Sequence, residues 1–573
     1  MIHTIDPRQK RLFDPFDGLF TDTGLKILQN GWQGAFRTIF LEKMHVNALA
    51  KNFSKHFGAP TKELYAMAGL VFIADFFGWT NQQAFHNFQF NYDLKFALNV
   101  EPSYDISLRS LERYQQLFRE DDLAADLFAG LTTLLAEILE LNVARQRLDS
   151  THIFSHMARF GRIRLMAVAV KRFLTQLQRH EKADFDALPD DFRSRYATSE
   201  SRLFADSKTA EACDKNRQQA AENMQLLIAR FENRKQIASR TSFKSLVAIF
   251  NQQCEVVEKK VKIRTSVGGN CIQNPSDLDA SYDAHKGPGY QVQISETCSD
   301  QNEVQLITAM IPQTACEHDA DAVGPVLDLL EESGFMPSEL LADTAYAGDE
   351  NVQLAELRGV ELVGPVPGRS PEVDSEALTL DDFAYNETTG VIDACPMGHV
   401  PVKSERDAEK QKTRVEMSAV FCASCPLVAK CPVQRRKGHY VLEFTDQQRR
   451  TAARRAEQET EVFRDRYRKR SGIESTNSGL KNRLGLGRLR VRGRGSVFRV
   501  IQHKLAGWNL LRGSASAKLR AVVAQRMSEM CPWYENRQLR QLFAHLFRVR
   551  LGFWKSAVSD LRVIGSKRQF RHI

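Results

Sequence analysis

GYQVQISETC (residues 289–298), VQLITAMIPQT (304–314) and ELLADTAY (339–346) are the stretches on which the fold turns. The first two carry clustered strand signals and look like adjacent strands. The third is a short apolar run that ends in an acid. Residues 320–333 and 349–358 carry helical spacing, and GVELVGPVP (359–367) reads as a further strand. Strand, strand, helix, strand, helix, strand is the order of an α/β fold with a mixed sheet.

Upstream, RLDSTHIF (147–154) reads as one more buried strand. Residues 158–262, rich in Lys, Arg, Glu, Gln and Ala, read as helical hairpins inserted behind it (KRFLTQLQRHEKADF, AAENMQLLIARFENRKQ). Residues 1–145 are helical, with apolar periodicity in LYAMAGLVFIADFF and LFAGLTTLLAEILELNVA and a Ser cap before LRSLERYQQLF. Downstream, residues 368–460 break the α/β pattern with Pro, Gly, acids and a Cys cluster. A long basic helix is expected from about 446 to 482, and the last hundred residues are helical and basic.

The composition is that of a globular protein of several domains: 573 residues, 43% hydrophobic and 26% charged. The net charge of +9 hides a division. From Pro432 to Ile573 there are 33 Lys and Arg against 10 Asp and Glu; the rest of the chain has 46 against 60. A basic, Arg-dominated C-terminal part is suited to a polyanion. The N-terminus MIHTIDPRQKRLFDPF has no apolar targeting core, and the best apolar run, Leu64–Trp79, is broken by Asp75 and too short for a bilayer. A cytoplasmic protein without membrane contact is expected, its ten Cys reduced thiols or metal ligands rather than disulfides.

Asp149 and Asp343 fall at the C-terminal ends of expected strands, where open α/β sheets build sites. Each alone is also an ordinary strand-end acid. DRYRKRSGIESTNSGLKNRLG (465–485) adds weight: Tyr467, Arg470, Glu474 and Lys481 are offset by 3, 7 and 14 positions. On one continuous helix those offsets fall in a stripe of roughly 60°. Gly472 and Gly479 cost that helix about 1 kcal/mol each against Ala and read as places where DNA comes close. Arg488, Arg490, Arg492 and Arg494 follow as phosphate-binding candidates. Cys395, Cys422, Cys425 and Cys431, in CPMGH and CASCPLVAKC, have thiolate spacing suited to tetrahedral Zn²⁺, with His399 able to replace Cys395. The other six Cys (213, 254, 271, 298, 316 and 531) read as ordinary thiols.

Tyr-x2-Arg-x3-Glu-x6-Lys resembles the signature of the large group of cut-and-paste bacterial insertion-sequence transposases. GWTNQQAFHNFQFNYDLKFALNV (78–100), SLRSLERYQQLF (107–118) and DLDASYDAHKGPGYQVQISET (277–297) are similar to one subgroup, which tends to carry a Cys cluster. The resemblance covers most of residues 55–510. It implies an RNase H-like core in which Asp149, Asp343 and Glu474 form a DDE triad holding two Mg²⁺ ions, with Mn²⁺ able to substitute. Tyr467, Arg470 and Lys481 become DNA-phosphate contacts near that site. The implied organisation is a helical N-terminal module that could bind DNA (1–145), core segments at 146–157 and 263–367, a helical insertion (158–262), and a Cys-rich zinc insertion (368–445). The catalytic helix and end of the core (446–510) and a basic helical segment (511–573) complete it. The implied activity is Mg²⁺-dependent cleavage and strand transfer at insertion-sequence ends by a homodimer on double-stranded DNA in a bacterial cytoplasm. The rivals are a non-catalytic DNA-binding regulator derived from a transposase, and an RNase H-like nuclease that cuts without joining. One departure stands out. Relatives that cut through a DNA hairpin hold a flipped base on an aromatic, often Trp, from the insertion before the catalytic helix. Residues 368–460 contain no Trp, leaving Tyr440 and Phe444 as stand-ins.

Overall fold

In the computed structural model, residues 2–530 are described, apart from 12–13, 121–122, 159, 369–376 and 387. Helices α1 (Leu64–Phe77) and α2 (Leu123–Leu139) precede strand β1 (Arg145–Ile153). Helices α3 (Arg162–His180), α4 (Ala210–Phe231) and α5 (Thr241–Gln253) follow it, as the Lys- and Arg-rich periodicity indicated. They enclose a core of their own around Phe173, Leu177, Met224, Leu227, Phe231 and Leu246. A small hairpin of Cys254–Val257 against Lys260–Ile263, not expected from the sequence, closes this insertion.

The chain then returns as β2 (Gly287–Thr297), β3 (Ile307–Thr314), α6 (Val323–Glu332), β4 (Glu339–Ala342), α7 (Asp349–Leu357) and β5 (Glu361–Val363). The main sheet has the order β3-β2-β1-β4-β5, with a short strand Ser281–Asp283 also on β2. The β3–β2 and β2–β1 pairs are antiparallel, whereas β1–β4 and β4–β5 are parallel. The mixed α/β class follows directly from this order. Leu148 faces α6 in a core with Val323, Val326, Leu327 and Leu330. Ile153 of β1 and Tyr290, Val292 and Ile294 of β2 join a larger core shared with helices at both ends of the chain.

The Cys-rich insertion is a second, four-stranded antiparallel sheet made of β6 (Lys403–Asp407), β7 (Lys412–Met417), β8 (Gln434–Arg436) and β9 (His439–Thr445), in the order β6-β7-β9-β8. Tyr440 and Phe444 are 8% and 2% exposed and fill its core with Val415, Met417 and Leu442. They alternate inward along β9, so neither offers a free face for a flipped base, and that expectation is corrected.

The long helix expected over 446–482 is three pieces: α8 (Asp446–Gln458), α9 (Glu461–Arg468) and α10 (Gly472–Arg483), with a 3₁₀ turn over Lys469–Ser471. Thr460 restarts the chain by capping Phe463 N at 3.2 Å, which a continuous pattern of basic residues does not reveal. Helices α11 (Arg494–Ser514) and α12 (Ala517–Met530) end the described part. The expected boundary at 510/511 falls inside α11, and most of the expected basic segment, residues 531–573 with Cys531, lies outside the described residues.

α1 is apolar all round because it is buried all round. Its one acid, Asp75, is met by Arg499 Nε at 2.8 Å and His503 Nδ1 at 2.9 Å, both from α11. Lys504 adds bonds to the Phe76 and Leu484 carbonyls. Gly507 lets the helices touch: a Cβ there would lie 2.1 Å from the Phe76 ring. Among the described residues, no helix is long and apolar enough to cross a membrane.

Candidate functional site

The β1–β4 register decides where the first two acids meet. The parallel ladder runs from Arg145↔Glu339 to Leu148↔Ala342, so Asp149 and Asp343 are the next residue on each strand. Asp343 follows the last residue of β4, as expected. Asp149 is not at a strand end, and that expectation is corrected. It is the fifth of nine residues, because β1 continues pairing with β2 as far as Ile153↔Tyr290.

α10 is held against the middle of the sheet by a buried ion pair. Arg147, two residues before Asp149 and on the same face, donates from Nε and Nη2 to Glu296 Oε2 of β2 at 2.8 and 2.6 Å. Its Nη1 donates to the Lys469 carbonyl at 3.0 Å. The other oxygen of Glu296 accepts from Thr476 Oγ1 at 2.7 Å. One carboxylate with no exposure thus ties β1, β2 and α10 together.

The two glycines serve this docking rather than an approach by DNA, which corrects their reading. A Cβ at Gly472 would lie 1.9 Å from Arg147 Nη1, and one at Gly479 would lie 2.3 Å from the Trp508 ring of α11. Both sit on the inner side of the helix. Their cost in helix propensity is offset by close packing.

Arg470 is the point on which the three acids converge. Its Nη2 lies 3.2 Å from Asp149 Oδ1 and 3.8 Å from Asp343 Oδ2, and its Nη1 lies 3.0 Å from Glu474 Oε1. Positions 149, 343 and 474 are therefore brought to one guanidinium by two strands and a helix. Side-chain exposure rises from 16% at Asp149 to 41% at Asp343 and 66% at Glu474, so the site is a cleft with Asp149 as its floor. Burial pushes the Asp149 carboxyl above its ordinary range, against the opposing pull of Arg470. Asn477 Nδ2 donates to the second oxygen of Asp149 at 3.1 Å, a contact that the sequence reading did not include.

Tyr467 stacks on Phe463 with centroids 5.7 Å apart and packs with Leu341 and Val363; burial raises its phenol. It is part of the wall beside the acids, on α9 rather than on the helix that bears Glu474. Lys481 is exposed along α10, and partial burial of its ammonium lowers its proton affinity against the opposing pull of Asp149. Arg488, Arg490 and Arg492 are exposed on an extended segment, and Arg494, also exposed, opens α11. That segment runs beside the end of β1: Phe154 N donates to Gly487 O, Leu489 N to Phe154 O, and His156 N to Val491 O. Leu489 turns inward while the arginines face outward, and Arg490 Nη1 reaches Gln83 at 3.0 Å.

Cys395, Cys422, Cys425 and Cys431 line one cavity with His399, whose ring stacks on Phe421 at 4.4 Å. Burial, and then the neighbouring thiols, raise the Cys422 thiol above its ordinary value. Among the described residues, no group of three or more His, Cys, Asp or Glu stands ready to hold a metal ion, at the thiols or at the acids. At the acids, Arg470 lies between the three carboxylates.

Residues 394–512 match a family model described as a transposase DDE domain. The matched transposase segment takes in the four thiols, Tyr467, Arg470, Glu474, Lys481 and the four arginines; Asp149 and Asp343 lie upstream of it. It supports a DDE transposase family for the chain, and with it an enzyme of the nuclease and transposase kind acting on DNA. DDE transposases generally use divalent metal ions such as Mg²⁺. No curated protein and no solved structure matches the chain.

Proposed function

We propose that this chain is a transposase that cleaves DNA at the ends of an insertion sequence and joins the freed ends to a target. The observation that carries the reading is the meeting of Asp149, Asp343 and Glu474 around Arg470. The strand order β3-β2-β1-β4-β5, three strands antiparallel and then two parallel steps, supports an RNase H-like core interrupted by the helical and Cys-rich insertions. Three hard carboxylates opening to solvent are a donor set suited to Mg²⁺. Bound as a pair, such ions supply an activated oxygen nucleophile and stabilise the leaving oxygen.

The chain's own residues do the rest. Asp149, Asp343 and Glu474 would hold the ions, with Asn477 fixing the orientation of Asp149. Arg470 would exchange its carboxylates for a DNA phosphate. Lys481, Tyr467 and the outward row of Arg488, Arg490, Arg492 and Arg494 hold the backbone on either side. In the first step the attacking group is water, and in the second it is the new 3′-OH. No covalent bond to the protein is required. A homodimer bridging two double-stranded element ends belongs to the same reading. So does a structural Zn²⁺ on Cys395, Cys422, Cys425 and Cys431, supported by their lining one cavity. Metal analysis then finds about one Zn²⁺ per chain, lost in Cys425→Ser; zinc-free protein of unchanged stability refutes it.

The deciding experiment incubates the chain with Mg²⁺ and a duplex carrying the DNA that flanks its reading frame. Glu474→Gln keeps the side-chain shape and removes the charge. It abolishes cleavage and joining and leaves duplex binding nearly intact. A Gln variant that cuts like the wild type overturns the proposal. Cutting without joining moves the assignment to a nuclease.

A further inference from the structure

Lys286 was not among the residues singled out from the sequence, yet it stands beside the acids. It lies in the turn before β2, where Asp283 Oδ1 accepts from the backbone N of His285 and Lys286 at 2.8 and 2.6 Å. The turn is therefore fixed, and the ammonium is aimed at the strand that carries Asp149. Its Nζ lies 3.2 Å from each of Ser150 Oγ, Gln291 Oε1 and Asp319 Oδ2. Ser150 is the residue next to Asp149. Asp319 accepts a second bond from Gln293 Nε2 at 2.9 Å, and Gln293 Oε1 accepts from Tyr346 OH at 2.5 Å, three residues beyond Asp343. A chain of polar contacts thus sets the lysine relative to both aspartates.

These contacts hold the ammonium loosely. All three are at the long end of the N–H···O range. Its one ion-pair partner among the described residues is shared, and its side chain remains one-third exposed. A partly exposed pair of this kind contributes little, so leaving it costs little. Two further groups share the same space. Lys481 lies within electrostatic reach of Lys286 and of Asp149. His152, on β1 two residues beyond Ser150, is 9% exposed, with its ring against the Pro288 carbonyl. Burial, and then the two lysines, hold its proton affinity down to about 4 against the pull of that carbonyl. Two cations beside a carboxylate cleft, with a neutral imidazole behind them, suit a singly charged phosphodiester.

We propose that Lys286 and Lys481, with His152 behind them, form a seat for a backbone phosphate of the DNA adjacent to the one that is cut, Asp319 being the resting partner that Lys286 leaves. This rests on the DNA-cleaving reading above and adds a positioning residue to it. The experiment measures binding of the duplex of flanking DNA, without divalent metal, as a function of salt. Each phosphate contact contributes about 0.9 to the slope of log K against log salt. Lys286→Gln lowers the slope by about that amount, and Lys286→Arg retains it. Asp319→Asn, which frees the ammonium, keeps the full slope. A scan with single neutral methylphosphonates finds one position that weakens wild-type binding and leaves Lys286→Gln indifferent. An unchanged slope in Lys286→Gln, or identical behaviour of Lys286→Gln and Asp319→Asn, overturns the seat and leaves Lys286 a structural partner of Asp319. Those results with a wild type that binds and cuts sink this inference alone. A wild type that binds no duplex sinks the DNA reading and the seat together.

Discussion

Glu296→Gln tests whether the buried carboxylate behind the cleft is what holds α10 in place. The substitution changes little in volume. The remaining carbonyl can still accept from Thr476, but the new amide presents N–H groups to the Nε and Nη2 of Arg147, donor against donor. Two charge-assisted bonds of 2.8 and 2.6 Å are lost, and Arg147 keeps only the Lys469 carbonyl. Breaking one side of a buried ion pair costs about 3–5 kcal/mol, because the surviving charge is left uncompensated. Here the loss falls on the contact between β1, β2 and α10. At about 1.4 kcal/mol per decade, amide hydrogens of residues 473–483 that exchange through local opening should exchange roughly 10²–10³ times faster than in the wild type. Amides of α3–α5, which have a core of their own, should be unchanged. Cleavage should fall too, since a displacement of about 1 Å at a reacting group can cost 10²-fold. Hydrogen exchange read by mass spectrometry separates the two segments. Equal exchange of 473–483 in both proteins would refute the argument, and would mean that packing of Ile473, Leu480 and Trp508 holds the helix unaided.

Gly479→Ala should destabilise the chain by about 1–3 kcal/mol, because the new methyl meets the Trp508 ring; a wild-type unfolding midpoint would show that the helix shifts at no cost. Asp75→Asn should cost about 3–5 kcal/mol at neutral pH by stranding Arg499 in the core. Burial alone would raise the Asp75 carboxyl, but Arg499 and His503 outweigh it and hold it below the ordinary range. Its contribution is therefore present above the ordinary carboxylate pKa and is lost as pH falls, so the variant's stability should decline less steeply on the acid side. A variant with the wild-type acid limb contradicts this. Replacing Arg488, Arg490, Arg492 and Arg494 together by Ala should flatten the salt dependence of duplex binding by about three to four units of slope; an unchanged slope places the DNA elsewhere.

Much of the fold was legible because its signals are local. The clustered strand signals of β2 and β3, the short apolar run of β4 and the helical spacing before and after it pointed to the α/β order. Glu474 was legible through the spacing of its neighbours, and Asp343 through its place after an apolar strand. What the sequence hid depends on pairing between distant segments. RLDSTHIF reads as a strand running past Asp149, but which of its residues meets the other acids depends on pairing with β2 and β4, more than a hundred residues later. Lys286, Asp319 and Asn477 are ordinary polar residues until the sheet brings them to the acids. Gly472 and Gly479 looked like openings because Arg147 and Trp508, which fill the space, lie far away in sequence. Tyr440 and Phe444 looked available because strand alternation tells which residues share a face and not which face is buried.

The register between β1 and β4 sets the limits within which this chain can change. The distance from Asp149 to Asp343 is measured across one parallel ladder of four residue pairs, and the 193 residues between them along the chain do not enter it. A helical insertion the size of α3–α5 can be gained, lost or remodelled in a surface connection at a modest entropic cost, with the acids undisturbed. A single residue inserted inside β4 is another matter. It would displace Asp343 by about 3.3 Å along the strand and turn its side chain to the opposite face of the sheet. Long additions between strands and strict constancy within them are thus two sides of one geometry, and variation in length among descendants of this chain should collect on one side of that line.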